Sequence, residues 1–433
     1  MIFHLLGLLC HGVLLLALTA LTLLGLWQAW FIAQHLSLRR SGLARESALL
    51  ATPLPDDDRL PHVLFQLPTF NEGQLIRRLA AAVGAVDWPR DKVHVQILDD
   101  STDESAVIAA EMAAAALRQH GLDAVLMHRA NRAGFKAGAL QEGLLQSRHE
   151  FVAIFDADYV PAPNFLRLCL RPMLREPRLG LVQARCDFIN PDDNAITRVQ
   201  QRLLDAHFAV EQATRSWSGQ VLPFNGTCGV WRRAAIDAAG GWQGDTLTED
   251  LDLSYRAQLA GWRALYLVTV AVPGELPDTV GGWRTQQYRW AKGFAQVARK
   301  LLPKVWRSDL ALGRKLDATF HLGACIVGPL IGVAVAAGAV DALIGPGPTS
   351  AAIGLLATAV LLGSGGTVMM MLLGQRAARG ASMLREAAQI PALLLTSLYA
   401  TLFNLRGVVE GWSGRASAFV RTPKHGSLAR KRA

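Results

Sequence analysis

Hydrophobic and polar positions follow three patterns along this chain. From Phe3 to about Ile32 there is no Asp, Glu, Lys or Arg, and Arg39, Arg40 and Arg45 close the stretch. A run of that length can cross the ~30 Å hydrocarbon layer of a bilayer. A cleavable signal would instead place basic residues ahead of a shorter apolar core. The pattern predicts a membrane anchor over residues 1–38, with the N-terminus outside and the following segment on the cytoplasmic side, where basic residues stay. Residues 51–60, with Pro53, Pro55 and three consecutive aspartates, read as a linker.

Short apolar runs then alternate with Ala- and Leu-rich stretches. The runs Val63–Leu67, Val93–Leu98, Ala124–Met127, Phe151–Phe155 and Leu179–Gln183 have strand composition. Gln74–Val83, Ser105–His120, Lys136–Gln146 and Phe165–Leu174 have helical spacing, with Asn71 and Asp103 at N-cap positions. This alternation predicts an α/β domain over residues 61–275: a mostly parallel, Rossmann-like sheet with helices on both faces. Such a sheet binds ligand beyond the carboxyl ends of its strands.

Longer helical periods follow. Asn194–Trp217 reads as one amphipathic helix. Trp283–Trp306 reads as another, with Trp283, Trp290, Phe294, Val297 and Leu301 on one side and Arg284, Lys292, Arg299, Lys300 and Lys304 supplying charge. Aromatic residues opposite basic ones suit a helix lying in the membrane interface, so residues 276–312 are expected to form an interface segment. Residues 313–408 hold three further apolar stretches, Leu322–Leu343, Ala351–Leu373 and Ile390–Phe403. The first two are long enough to span. The third is short, contains Pro391 and is expected to be re-entrant or interfacial. A basic tail over residues 409–433 ends the chain and should remain cytoplasmic.

Composition sharpens this picture at two points. The chain is 51% hydrophobic and carries a net charge of +9 over 433 residues. Aromatic and basic residues do not interleave on one face, and no nucleic-acid motif is present, so anionic membrane head groups explain the charge better than nucleic acid. The five cysteines are scattered, without zinc-ligand spacing, and read as small hydrophobes.

Carboxylates recur where the predicted strands end. Asp99 and Asp100 follow one strand, Asp156 and Asp158 follow another, and Glu249 and Asp250 precede Leu251. A lone Asp-x-Asp is usually a solvated turn. Three clusters facing one ligand crevice instead suit a hard divalent cation, Mg²⁺ or Mn²⁺, bridging phosphate groups. No P-loop, Gly-x-Gly-x-x-Gly or Gly-x-Ser-x-Gly pattern competes with that reading.

Seven runs in order carry a resemblance: Pro68-Thr-Phe-Asn-Glu72, Leu98-Asp-Asp-Ser-Thr-Asp103, Lys136-Ala-Gly-Ala-Leu140, Phe155-Asp-Ala-Asp158, Phe224-Asn-Gly-Thr227, Thr248-Glu-Asp250 and Gln286-Gln-Tyr-Arg-Trp290. Together they resemble the processive, inverting family-2 glycosyltransferases of the cellulose synthase superfamily, in particular the glucomannan mannosyltransferase group and its bacterial relatives. The resemblance implies a GT-A catalytic domain in which Thr69, Glu72, Asp99, Asp100, Lys136 and Asp156 bind the donor nucleotide. Asp156 and Asp158 would hold the metal, and Asp250 would be the general base. Glu249, Gln286, Arg289 and Trp290 would lie near the diphosphate and the acceptor sugar. The segment 419–424 is similar to the family's gating segment, with Thr422 and Lys424 at its key positions, though its valine is shifted and a proline added.

The implied activity is transfer of a hexose from a UDP- or GDP-sugar to a growing β-linked polysaccharide. The protein would be multi-pass in the plasma membrane with its catalytic domain cytoplasmic, contacting membrane lipids and serving alone, as a homo-oligomer or with an export partner. Two rivals stand beside it: a non-processive enzyme making a glycolipid, and a catalytically silent component of an export complex. The intact Asp156, Asp158 and Asp250 weigh against the second.

Overall fold

The computed structural model describes residues 2–415, 417 and 420–422. The chain divides into two compact units. One comprises residues 39–201, 215–286 and 418–433, the other 1–38, 202–214 and 287–417.

The first unit is built on a seven-stranded sheet. In chain order its elements are β1 (Val63–Thr69), α2 (Gly73–Gly84), β2 (Val93–Asp99), α3 (Glu104–Gln119), β3 (Asp123–His128), α4 (Phe135–Leu145), β4 (Phe151–Ile154), α5 (Phe165–Arg175) and β5 (Leu179–Phe188). After the helical segment 195–218 come β6 (Gly229–Arg232), α8 (Arg233–Ala238), α9 (Glu249–Leu259) and β7 (Arg263–Gly274). The sheet order is β3-β2-β1-β4-β6-β5-β7, and only β6 runs antiparallel to its neighbours. Strands β1 and β4 are buried along their whole length, as mostly apolar runs covered on both faces should be. Leu64, Leu140, Val152, Leu181, Trp231 and Leu253 belong to one core cluster that joins sheet and helices.

The second unit is helical. It takes in most of α1 (Ile2–Leu50), the π-helical turn 206–211 between α6 (Ala195–Asp205) and α7 (Gln212–Ser218), and the greater part of α10 (Val280–Arg307). It continues through α11 (Leu312–Gly323), α12 (Val327–Ile344), α13 (Ser350–Arg379), α14 (Met383–Ala387) and α15 (Ile390–Ser413). Four helical stretches, Ile2–Leu50, Leu312–Ile344, Ser350–Arg379 and Ile390–Ser413, are long and apolar enough to cross a membrane.

Three sequence expectations are corrected here. Pro391 does not break Ile390–Phe403: it lies in the first turn of α15, where no N–H is needed, and the helix runs on for 24 residues, past the apolar stretch to Arg406 and Glu410. Lys292 does not supply charge to a surface: it is fully buried and pairs with Glu410 at 3.0 Å, and Glu410 also bonds Tyr288 and Arg406. Ala295, Val297, Ala298, Leu301 and Val305 of α10 are fully buried too, so protein rather than lipid covers that side. Finally, Asn71 is not an N-cap. Glu72 holds that position, while Asp103 does cap α3 by accepting from Ser105 N.

Candidate active site

Every strand that runs into the site ends in a polar loop, because a parallel sheet points its carboxyl edge at one crevice. The loop after β1 is fixed first. Asn71 has φ 54°, a left-handed conformation that Asn tolerates better than most residues. Its Oδ1 accepts from Thr102 N (2.9 Å) and Asp103 N (3.1 Å), and its own N–H donates to Ser101 Oγ (2.8 Å). Two strand-end loops are thereby joined, with Thr69 buried at the end of β1 and Glu72 opening α2.

The aspartates at the end of β2 are both occupied within the protein. Asp99 is fully buried; its Oδ1 accepts from Ser101 N and its Oδ2 from His128 Nδ1 at 2.7 Å. Asp100 accepts two hydrogen bonds from Arg129, at 2.7 and 2.6 Å, in the fork geometry of a bidentate pair. Arg132 approaches Asp100 to 4.0 Å and lies 3.4 Å over the Phe70 ring. Sequence reasoning missed both arginines. Their only signal was position, just beyond a strand that ends beside Asp99.

The other carboxylates meet around Lys136, in the first turn of α4. Lys136 Nζ lies 2.5 Å from Asp156 Oδ1, 2.8 Å from Gly226 O and 3.9 Å from Glu249 Oε1. Burial alone would lower the lysine pKa, but Asp156 and Glu249 more than offset it, and the ammonium titrates above the ordinary lysine range. Asp156 N donates to Thr227 Oγ1 at 3.0 Å. Asp158 is buried, and its Oδ2 accepts from Glu275 N at 3.3 Å. Its carbonyl accepts from Arg78, which also pairs with Glu275.

Asp250 occupies the first turn of α9 and accepts from Leu251 N at 2.8 Å. Burial foremost, then the charge of Glu249, pushes its carboxyl up from 3.8 to about 7, with Lys136 opposing. A carboxyl poised near neutrality is what general-base chemistry needs. The Phe224–Thr227 loop encloses it. Gly226 has φ +79°, and a Cβ there would lie 2.8 Å from Asp250 Oδ2 and 3.3 Å from Lys136 Nζ. The structure thus brings Lys136, Asp156, Glu249 and Asp250 together around one glycine.

The remaining expected residues divide between the units. Gln286, on α10, belongs to the sheet-bearing unit, and its half-buried side chain has an Oε1 without a hydrogen-bond partner among the described residues. Arg289 and Trp290 follow on the same helix within the helical unit, both half-buried. Thr422 is buried. Lys424 lies outside the described residues. Arg421, which the sequence reading did not single out, donates to Asn71 O at 2.6 Å and reaches Glu72 at 3.6 Å.

A family model described as glycosyltransferase-like family 2 matches residues 61–293, more than half of the chain. Glucomannan 4-β-mannosyltransferase 2 of Arabidopsis thaliana is 43% identical over 264 residues, which is 59% of this chain and 49% of that protein. Glucomannan 4-β-mannosyltransferase 1 of Oryza sativa subsp. japonica is 42% identical over 279 residues, 62% of this chain and 54% of that protein. The chain therefore spans about half the length of these relatives. Among solved structures, a mannosyltransferase from Pyrobaculum calidifontis in complex with GDP-Man and Mn²⁺ superposes with a TM-score of 0.56 at 21% identity, over 91% of this chain and all of that one. That likeness supports the GT-A fold.

Proposed function

The chain belongs to the glycosyltransferase-like family 2, and from that premise we propose that it transfers a hexose, with inversion, from a nucleoside-diphosphate sugar to a growing β-linked glycan. Mannose joined in β-1,4 linkage is the first candidate, because the relatives at 42–43% identity are glucomannan 4-β-mannosyltransferases. The observation that carries the proposal is Asp250: a half-buried carboxyl held near pH 7 beside the Lys136–Asp156 pair, at the carboxyl edge of a parallel sheet.

In the reaction, Asp250 takes the proton of the acceptor hydroxyl as its oxygen attacks the anomeric carbon. The bond from that carbon to the diphosphate oxygen breaks on the opposite face, which inverts the configuration. The diphosphate leaves with the bonding electrons and gains negative charge. Lys136, already fixed by Asp156 and Gly226 O, supplies one positive charge there, and such preorganised charge lowers the barrier more than it stabilises the ground state. The loops carrying Thr69, Glu72, Asp99 and Asp100 line the nucleoside side.

A divalent cation fits this site. The half-exposed Asp156 and the buried Asp158 offer only hard oxygen donors, which suit Mg²⁺ or Mn²⁺ together with diphosphate oxygens. When bound, such an ion would neutralise charge on the departing diphosphate. The active-site unit faces the cytoplasm of the plasma membrane in this reading, since Arg39, Arg40 and Arg45 follow the first apolar stretch.

The test is a panel of UDP- and GDP-sugars offered to membranes containing the protein, run with EDTA and again with Mn²⁺ or Mg²⁺ restored. Cation-dependent incorporation from one donor into alkali-stable, β-linked polymer is the expected result. A single-sugar product that migrates with lipid would replace the polymer reading with a glycolipid one. Full activity in metal-free EDTA would remove the cation, and no transfer from any donor would remove the enzyme.

A further inference from the structure

Three histidines meet at the end of the sheet opposite the carboxylates. His62 stands immediately before β1, His94 is the second residue of β2, and His149 lies two residues before β4. Strands β2, β1 and β4 are parallel neighbours in which Val63 aligns with both Val93 and Phe151. The strand register alone therefore gathers three imidazoles at the amino edge. The next strand, β3, begins with Asp123, aligned with His94. A seven-residue strand separates this edge from the catalytic carboxylates by about 20 Å.

The ring nitrogens are arranged as ligands. His62 Nδ1 lies 2.9 Å from His94 Nε2, and one nitrogen from each of the three rings lies within 4.8 Å of the other two. His94 Nδ1 donates to Asp123 Oδ2 at 2.8 Å, because a carboxylate can only accept; the neutral ring then keeps its Nε2 lone pair, directed at His62. His149 Nδ1 bonds Ser147 Oγ at 2.7 Å, which leaves its Nε2 for a second partner. Carboxylate and hydroxyl partners of this kind fix the tautomer and ring orientation of metal-binding histidines.

We propose that His62, His94 and His149 form a site for one divalent transition metal of the imidazole-preferring class, with zinc the expected ion and Asp123 and Ser147 as outer partners. Zinc bound at about 2.0–2.1 Å from each nitrogen would set neighbouring nitrogens about 3.4 Å apart. That separation falls between the 2.9 Å contact and the 4.8 Å limit of the present cluster. The His94 and His149 rings, now stacked at 4.0 Å between centroids, would turn about their side-chain bonds to converge on the ion. The exposed His62 side leaves the fourth position to water. The site is chemically separate from the catalytic one, nitrogen donors at one edge and oxygen donors at the other. Bound metal would tie together the starts of β1, β2 and β4 and stabilise the folded state by mass action.

The test uses the full chain in detergent, purified on a tag without histidine and stripped with a chelator. Co²⁺ is added while the visible spectrum is followed, since nitrogen-ligated four-coordinate cobalt absorbs far more strongly than six-coordinate cobalt bound by oxygen. One equivalent should produce the band, Zn²⁺ should displace it, and Mg²⁺ should not. His94→Gln and His149→Gln should each lose the band, and Asp123→Asn, which keeps all three ligands, should weaken affinity about 10–100-fold. Zn²⁺ should raise the melting temperature of the wild type and not of His94→Gln. No band in the wild type would overturn the proposal. So would an undiminished band in a His94→Gln protein, or an unchanged Co²⁺ affinity in an Asp123→Asn protein, whose circular dichroism matches the wild type.

Discussion

Asp250 sits in the first turn of α9, where the helix dipole favours a carboxylate, yet burial and Glu249 outweigh that preference and hold its carboxyl near 7. Two consequences follow with opposite signs. For catalysis, the protonated acid cannot act as base, so turnover should fall about tenfold for each pH unit below neutrality. For stability, between the ordinary value of 3.8 and about 7 the folded chain holds a proton that the unfolded chain has released. This group's contribution is therefore full below the lower value and is lost as pH rises to the upper one. Asp250→Asn removes both effects. Transfer should drop by about 10²–10⁴-fold and lose its acid limb, while the variant melts no lower than the wild type at pH 8. Radiolabelled-donor assays across pH, paired with melting curves, read both. Activity within a few-fold of wild type would move the base elsewhere.

At the scale of elements, the Phe224–Thr227 loop shows how a motif acts without supplying a reactive group. Gly226 turns the chain at φ +79° so that its carbonyl meets Lys136 and its missing side chain leaves room for Asp250. In Gly226→Ala, a Cβ 2.8 Å from Asp250 Oδ2 would have to displace the carboxylate, on a backbone conformation that alanine resists. Turnover should fall at least about tenfold, while about 1–2 kcal/mol of backbone strain lowers the melting temperature by only a few degrees, because the clash lands on Asp250 rather than on the core. Unaltered kinetics would show that the loop does not set the position of Asp250. The same scale marks where the sequence was readable. Five of the six parallel strands were legible because each is a mostly apolar run flanked by helices of clear spacing, whereas β7 (Arg263–Gly274) was not read. The four-residue β6 was not: Gly229–Arg232 is too short for a periodic signal, and it pairs antiparallel against the run of the sheet. Carboxylates at strand ends could be placed from topology alone. The partners that fix them, Arg129 on Asp100 and Gly226 on Lys136, depend on loop conformations that no spacing encodes. His62, His94 and His149 stayed invisible for a related reason, since only the strand register brings them together. Lys292 and Glu410, 118 residues apart, are a further case: a lysine read as surface charge is buried because its partner arrives from another helix.

For the whole molecule, the distribution of basic and apolar residues sets which side of the membrane each end of the helical unit should reach. The first apolar stretch of α1, followed by three arginines, should bring the chain into the cytoplasm, and α12 and α13 should carry it out and back. A complete crossing by α15 would then place residues 420–422 outside. Within the sheet-bearing unit, however, Arg421 donates to Asn71 O and approaches Glu72, so this segment shares a side with the catalytic loops. The composition of α15 resolves the conflict. Its apolar part ends before Arg406 and Glu410, and the 16 residues from Ile390 to Leu405 rise only about 24 Å, short of the ~30 Å needed. The charged last turns, with Glu410 paired to Lys292, suit the interface rather than the hydrocarbon. We therefore expect α15 not to cross, although its full length would allow it. Val420 is exposed and adjoins Arg421, which makes Val420→Cys, in a background lacking the five native cysteines, a direct reporter. A membrane-impermeant thiol reagent should leave it unlabelled in intact cells and label it in inside-out vesicles. Added nucleoside diphosphate should slow the labelling if the segment covers the donor. Labelling from the outer face of intact cells would require α15 to cross and would separate residues 420–422 from the catalytic loops.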